Sequence, residues 1–304
     1  MIRSSPASVM WFVAAVGLAG CAAQGEAMPV PPERGAAGTE SSSDTPPMAD
    51  AQVLPAFTYD GRLTQGGWIV GTAPEGAVTA RLGEQELALD EDRRFFAAFD
   101  RDAGEHAFLR ATLEDGREVE FRLDIAPRAW RIERVNVAKR PPVSSEEWWK
   151  KREPEWLAIK AAREKETGAR GWRQNFIWPV KGRISGRFGA QRIYKGEPGS
   201  YHSGLDIAPG AGTPFVAPAD GVVVLAATGF SLEGNLLIID HGQGLNSAFL
   251  HAQSLTVKEG DTVKRGQMIG RVGSSGRSSG PHLHWGIKWN DARLDPLLFL
   301  PDAD

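Results

Sequence analysis

The chain has 304 residues and a formal net charge of −3, so bulk electrostatics give no support to a nucleic-acid partner. That length fits about two domains, and 41% hydrophobic with 24% charged residues is the composition of an ordinary globular protein. With 35 glycines and 20 prolines the chain is rich in turn formers, as all-β domains require.

The first residues read as a leader rather than as part of a fold. Arg3 supplies the positive charge, and Val9 to Leu18 is a short apolar run. Spanning a bilayer needs roughly 20 apolar residues, so the run is expected to be a secretory signal, residues 1–20. It closes on Leu18-Ala19-Gly20-Cys21, which resembles a bacterial lipobox and holds the chain's one cysteine. The resemblance implies cleavage before Cys21, a lipid on that residue and anchoring in a membrane. Ala22 after the cysteine resembles lipoproteins sorted to the outer membrane and facing the periplasm. Having a single cysteine, the chain can form no intrachain disulfide. Residues 21–51 carry almost no large apolar side chains and are expected to be a disordered tether.

Residues 52–128 alternate short apolar strands with turns. The runs 77–82, 95–99, 108–113 and 119–125 are separated by turn signals such as Asp102-Ala103-Gly104 and Asp115-Gly116. Strands of this length at this spacing predict a small immunoglobulin-like β-sandwich. No catalytic constellation appears here, and His106 reads as a surface residue.

Residues 129–178 change character and predict a Trp-rich helical connector. Ser144 and Glu147 form a capping-box pattern, the stretch to Thr167 favours helix, Pro154 is expected to start a second helix, and Gly168 to end it. Six of the ten tryptophans fall here. They are expected to pack helices between two domains; a lid over a cleft or a platform for sugar rings is the sharper alternative.

Residues 179–304 predict a second, antiparallel-β domain. It holds five of the six histidines. His202 and Asp206 form His-x-x-x-Asp, His282 and His284 form His-x-His, and His251 lies between them. Side chains alternate along a strand, so both imidazoles of His-x-His leave one face. His202, Asp206 and His284 offer the three ligands typical of a catalytic zinc, with His282 and His251 left beside it.

Residues 183–301 resemble the lysostaphin-type (LytM-like) zinc endopeptidases of bacterial cell walls. The matching pieces are Gly186-Arg-Phe-Gly189, His202-x-x-x-Asp206, Ala217-Pro-x-Asp-Gly-Val222, Asp240-His-Gly242, His251, Gly260 to Gly270 and Gly273 to His284. The resemblance implies one Zn2+ on His202, Asp206 and His284, and His251 and His282 as the unligated catalytic pair. It also implies a peptidoglycan cross-linking peptide as substrate, in a Gram-negative host a D-alanyl–diaminopimelate bond. Which histidine is the base stays open, with His282 preferred. His241 has no role in the pattern and reads as structural. Two positions depart from the family: Phe249-Leu-His251 lacks a tyrosine hydroxyl, and Gly286 follows Trp285 where glutamate is common.

Three rivals deserve comparison. Gly276-Arg-Ser-Ser-Gly280 matches Gly-x-Ser-x-Gly, but a nucleophile elbow needs a strand-to-helix turn and Pro281 leads into a strand instead. A biotinyl- or lipoyl-carrier module would leave the histidines unexplained. A non-enzymatic peptidoglycan-binding regulator of another wall hydrolase is the serious alternative, although family members with that role have usually lost zinc ligands.

Overall fold

The computed structural model describes residues 56–139 and 145–301. The expected leader, Cys21, the whole tether and Ser144 lie outside these residues. Among the described residues no helix is long and apolar enough to cross a membrane. Val53–Asp304 forms one compact unit, and it is mainly antiparallel β.

Its first part contains two antiparallel sheets. Thr58–Gly61, Trp68–Thr72 and Arg94–Ala98 make one; Gln85–Glu86, Ala77–Leu82, His106–Leu113 and Glu118–Asp124 make the other. The alternating pattern of His106–Leu113 sends Leu109, Ala111 and Leu113 inward. Leu109 then joins Ile69, Phe95 and Leu123 in a shared core. His106 stands on the surface beside Asp124, 3.0 Å away.

The main sheet runs in the order Thr262–Val263, Gly221–Phe230, Gly234–Gly242, Leu245–Ala252, Leu283–Trp289, Leu205–Ala208 and Arg183–Gly186, every pair antiparallel. Its central strand Gly234–Gly242 is buried on both faces. Leu237 and Ile239 enter the large core, while Leu236 and Ile238 enter a second cluster with Val224, Ala248 and Ala162. This period-2 division explains why 236–239 reads as an unbroken apolar run. Ala162 and Ile159 come from the helix α1, Glu146–Arg163, which lies across that face. Each fully buried leucine or isoleucine there contributes about 1.5–3 kcal/mol.

The segment 129–178 differs from expectation in three ways. Ile132–Val135 is a strand, pairing in parallel with Gln191–Tyr194, which in turn pairs with Glu197–Tyr201. The helix cap is Ser145, whose hydroxyl accepts from Trp148 N at 3.1 Å. Pro154 sits inside one helix, not at the start of a second, and that helix ends at Arg163, before Gly168. An interior proline removes a hydrogen bond. Here Arg152 and Glu155, on either side of it, are both tied to the loop 231–233, which keeps the helix in one piece.

The tryptophans divide. Trp172 is buried, and Trp130 meets Phe188 edge to face with Arg101 and Arg128 over its ring. Trp149 and Trp156 are exposed on α1. The two β halves are joined by other aromatics: Trp68 stacks on Phe96 and Phe299, and its Nε1 donates to Leu298 O at 3.1 Å.

Candidate active site

Strand pairing builds the site. Asp206 on Leu205–Ala208 lies directly opposite His284 on Leu283–Trp289, and His284 lies opposite Leu250, the neighbour of His251. His202 follows the strand Glu197–Tyr201, and its N–H donates to Ala190 O at 2.8 Å. His282 bridges Gly273 across the Gly/Ser loop. All five residues singled out from the sequence therefore meet at one end of one sheet face.

Three of them converge on a point. His202 Nε2, Asp206 Oδ1 and His284 Nδ1 are separated by 3.0, 3.1 and 2.8 Å. His202 Nδ1 donates to Arg187 O at 3.0 Å, which leaves Nε2 with a lone pair facing a carboxylate oxygen. Two acceptors held face to face call for a cation between them. The spacings are close to the roughly 3.3 Å between ligand atoms of a tetrahedral metal with bonds of about 2.0–2.1 Å. The donor set therefore fits a divalent metal.

Backbone carbonyls orient the other two. His282 Nδ1 donates to Gly280 O and His251 Nδ1 to Ser275 O, each at 2.8 Å. Their rings lie 5.0 Å apart, and with Nδ1 donating, the lone pair of each neutral ring is on Nε2. His282 Nε2 stands 3.7 Å from Asp206 Oδ1, on the edge of the ligand cluster. His251 has a left-handed backbone, φ 65°, a region few non-glycine residues enter. Its N–H donates to Glu233 O at 2.9 Å.

Charge follows burial and contact. Burial works to raise Asp206, but the imidazoles of His202 and His284 beside it outweigh burial and hold the carboxyl well below its usual range. Burial pushes His284 and His251 down, against the opposing pulls of Asp206 and the Ser275 carbonyl. For His202 burial is overcome by Asp206, and the ring moves up.

Two glycines make room. A Cβ on Gly204 would stand 2.6 Å from His284 Nε2, and one on Gly186 would stand 2.3 Å from Asp206 Oδ2. Only glycine lets the backbone come this close.

Other sequence readings resolve here. His241 is fully buried, with Nδ1 2.8 Å from Asp220 O and Nε2 2.9 Å from Ser247 Oγ. Ser278 is no elbow nucleophile: its hydroxyl donates to Gly280 O at 2.7 Å, and the His282 nitrogen 3.2 Å away is the protonated Nδ1. Tyr201 packs on Phe188 beneath Arg101, and Tyr194 lies against Gly199. The Arg187, Ser275 and Gly280 carbonyls were missed, because a backbone acceptor leaves no mark on residue type.

An antiparallel sheet whose face carries a cluster able to hold a metal ion, with two further histidines beside it, has the architecture of a LytM-like metallopeptidase fold. Residues 200–296 match the model of peptidase family M23. The chain is 38% identical over 131 residues to a lipoprotein NlpD/LppB homolog of Pseudomonas aeruginosa, covering 43% of this chain and 40% of that protein. It is 40% identical over 111 residues to the peptidoglycan DD-endopeptidase ShyA of Vibrio cholerae, covering 36% of this chain and 26% of that protein. The murein hydrolase activator NlpD of Escherichia coli is 38% identical over 124 residues, with 41% and 31% covered. The chain thus spans less than half the length of these relatives. An M23-type crystal structure from Pseudomonas aeruginosa superposes with a TM-score of 0.60 at 29% identity, covering 78% of this chain and 95% of that one.

Proposed function

We propose that the protein is a zinc-dependent endopeptidase that hydrolyses the cross-linking peptides of peptidoglycan, in the periplasm and tethered to the outer membrane through a lipid on Cys21. The observation that carries this reading is the pairing of a three-atom ligand cluster with two histidines whose Nε2 atoms are free. His202, Asp206 and His284 would hold the ion. When bound, zinc supplies Lewis acidity toward a carbonyl and lowers the pKa of a water.

The chain's own residues do the rest. His282, at the edge of the ligand cluster, takes the proton of the attacking water on Nε2, and the Gly280 carbonyl stabilises the resulting imidazolium at Nδ1. His282 then returns that proton to the leaving amine, and His251, held by the Ser275 carbonyl, is the second of the pair, placed beside the developing oxyanion. The Gly/Ser loop that carries both carbonyls lines the cleft. For the scissile bond, D-alanyl–diaminopimelate is the expectation in a Gram-negative host.

A second reading, a regulator that binds peptidoglycan and acts on another wall hydrolase, is favoured by α1 lying across the sheet face that carries the site. The deciding experiment is hydrolysis of purified sacculi by the protein, with and without phenanthroline and beside His284→Ala, together with metal analysis. Cross-links cleaved only by metal-loaded wild type support the peptidase. Bound zinc without cleavage favours the regulator, and absence of zinc removes the enzymatic reading.

A further inference from the structure

The sheet face that carries the site continues past it in rows of paired residues. Leu250, His284 and Asp206 form the first row. Ala248 and Gly286 form the next, with no side chain larger than a methyl. In the third, Asn246 pairs with Lys288, and Lys288 pairs with Arg293. Above this row Arg163 reaches down from α1 and donates to Asn246 Oδ1. A cavity of 810 Å³ runs between α1 and the sheet, and His284, Gly286, Lys288, Arg163 and Arg293 all line it.

The third row is electrostatically incomplete. Like charges directly opposite in an antiparallel pair destabilise a sheet, yet Lys288 and Arg293 stand in that relation with Arg163 overhead. Arg163 meets a neutral amide. The carboxylate nearest Lys288, Asp291 at 3.6 Å, is fully exposed. Glu233 also lines the cavity but is engaged at both oxygens by Arg152, at 2.7 and 2.8 Å. Arg293 leans toward Tyr201, 5.5 Å from the ring. Burial and the mutual repulsion of these cations push the Arg163 guanidinium down to about 10 and lower Lys288 as well. An anion would relieve all three.

We propose that Arg163, Lys288 and Arg293 form a subsite for a free carboxylate of an extended peptide substrate. The proposal rests on the peptidase reading of the site and adds to it a preference at a distance. Lys288 lies four residues along the strand from His284, about 13 Å at roughly 3.3 Å per residue. An extended peptide running through the cavity from His284 past Gly286 would therefore put its carboxylate about four residues from the scissile bond. Glycine at 286 leaves that passage its full width, since a Cβ there would already touch Ser203 O at 3.5 Å and His284 Nε2 at 3.7 Å.

The test uses the purified full chain and a cross-linked muropeptide, prepared with free terminal carboxylates and in carboxamide form. Binding is measured by calorimetry on His282→Ala, which retains the ligand triad, with and without Lys288→Gln or Arg293→Gln; turnover is followed on the same peptides with otherwise wild-type protein. The acid form should bind about 10-fold or more tightly than the amide, as a charge-assisted contact requires. Either substitution should bring the ratio near one. Circular dichroism confirms folding, and Lys288→Gln removes no protein hydrogen bond except its weak contact with Asp291. Equal binding of the two forms, or no binding of either, overturns the subsite. Cleavage without preference leaves the peptidase standing and removes the subsite. Preference in binding without any cleavage leaves the subsite and removes the peptidase.

Discussion

His251 and His282 face each other with ring centres 5.0 Å apart, and each is held at Nδ1 by a carbonyl of the same Gly/Ser loop. The loop therefore sets both tautomers at once. Substituting either histidine by alanine should lower kcat by about 10²–10⁴-fold while zinc content stays at wild-type level. His284→Ala should lose the metal itself. Metal analysis beside turnover separates the two outcomes; loss of zinc in His282→Ala would place that residue among the ligands.

Gly204 offers a second test of the geometry. A methyl group there collides with His284 Nε2 and with Trp285 O, both 2.6 Å away. Gly204→Ala should rotate His284 off its ligand position and weaken zinc binding about 10–100-fold, the range for a disturbed supporting contact. Competition with a chromophoric chelator measures this directly. Circular dichroism on the variant separates loss of the site from loss of the fold.

Arg152 connects α1 to the site without touching it. Its guanidinium pairs with Glu233 at 2.7 Å, and the Glu233 carbonyl accepts from the N–H of His251, whose backbone is left-handed. Both side chains are largely buried, so removing one partner strands a charge at a cost of about 3–5 kcal/mol. Arg152→Ala should lower the denaturation midpoint accordingly. It should also reduce kcat more than KM changes, because the strained His251 loses its brace.

Acid stability should report on His241. Burial pushes its pKa down from 6.5 to about 4. The unfolded chain takes up a proton near 6.5 while the folded ring stays neutral, so stability is full above that pH and falls as pH drops toward 4. The depressed value corresponds to about 3 kcal/mol at most. Denaturant midpoints measured between pH 7 and 4 should show this loss, and His241→Gln should flatten that part of the profile.

The site was legible because its signals are residue types at fixed spacings. His-x-x-x-Asp and His-x-His name their own faces once the strands are assigned, and Asp206 opposite His284 is the register they imply. What was not legible depends on contacts distant in sequence. Pro154 reads as a helix break, and only the ties from Arg152 and Glu155 to residues 231–233 keep α1 whole. Ile132–Val135 lacks a strong strand pattern and forms against Gln191–Tyr194, far along the chain. Trp149 and Trp156 look like core residues by type but point to solvent. The cationic row needs three separate segments to become visible.

The contacts of the 3-10 turn Pro296–Phe299 bear on how the protein is made. Gly66 O accepts from Asp295 N at 2.9 Å, Arg128 pairs with Asp295 at 2.8 Å, and Trp68 is capped by Leu298 and Phe299. The early sheets are therefore finished by residues synthesised more than 200 positions later. During synthesis that seam cannot close until almost all of the chain is available, so the early sheets stay unfinished until the last residues arrive.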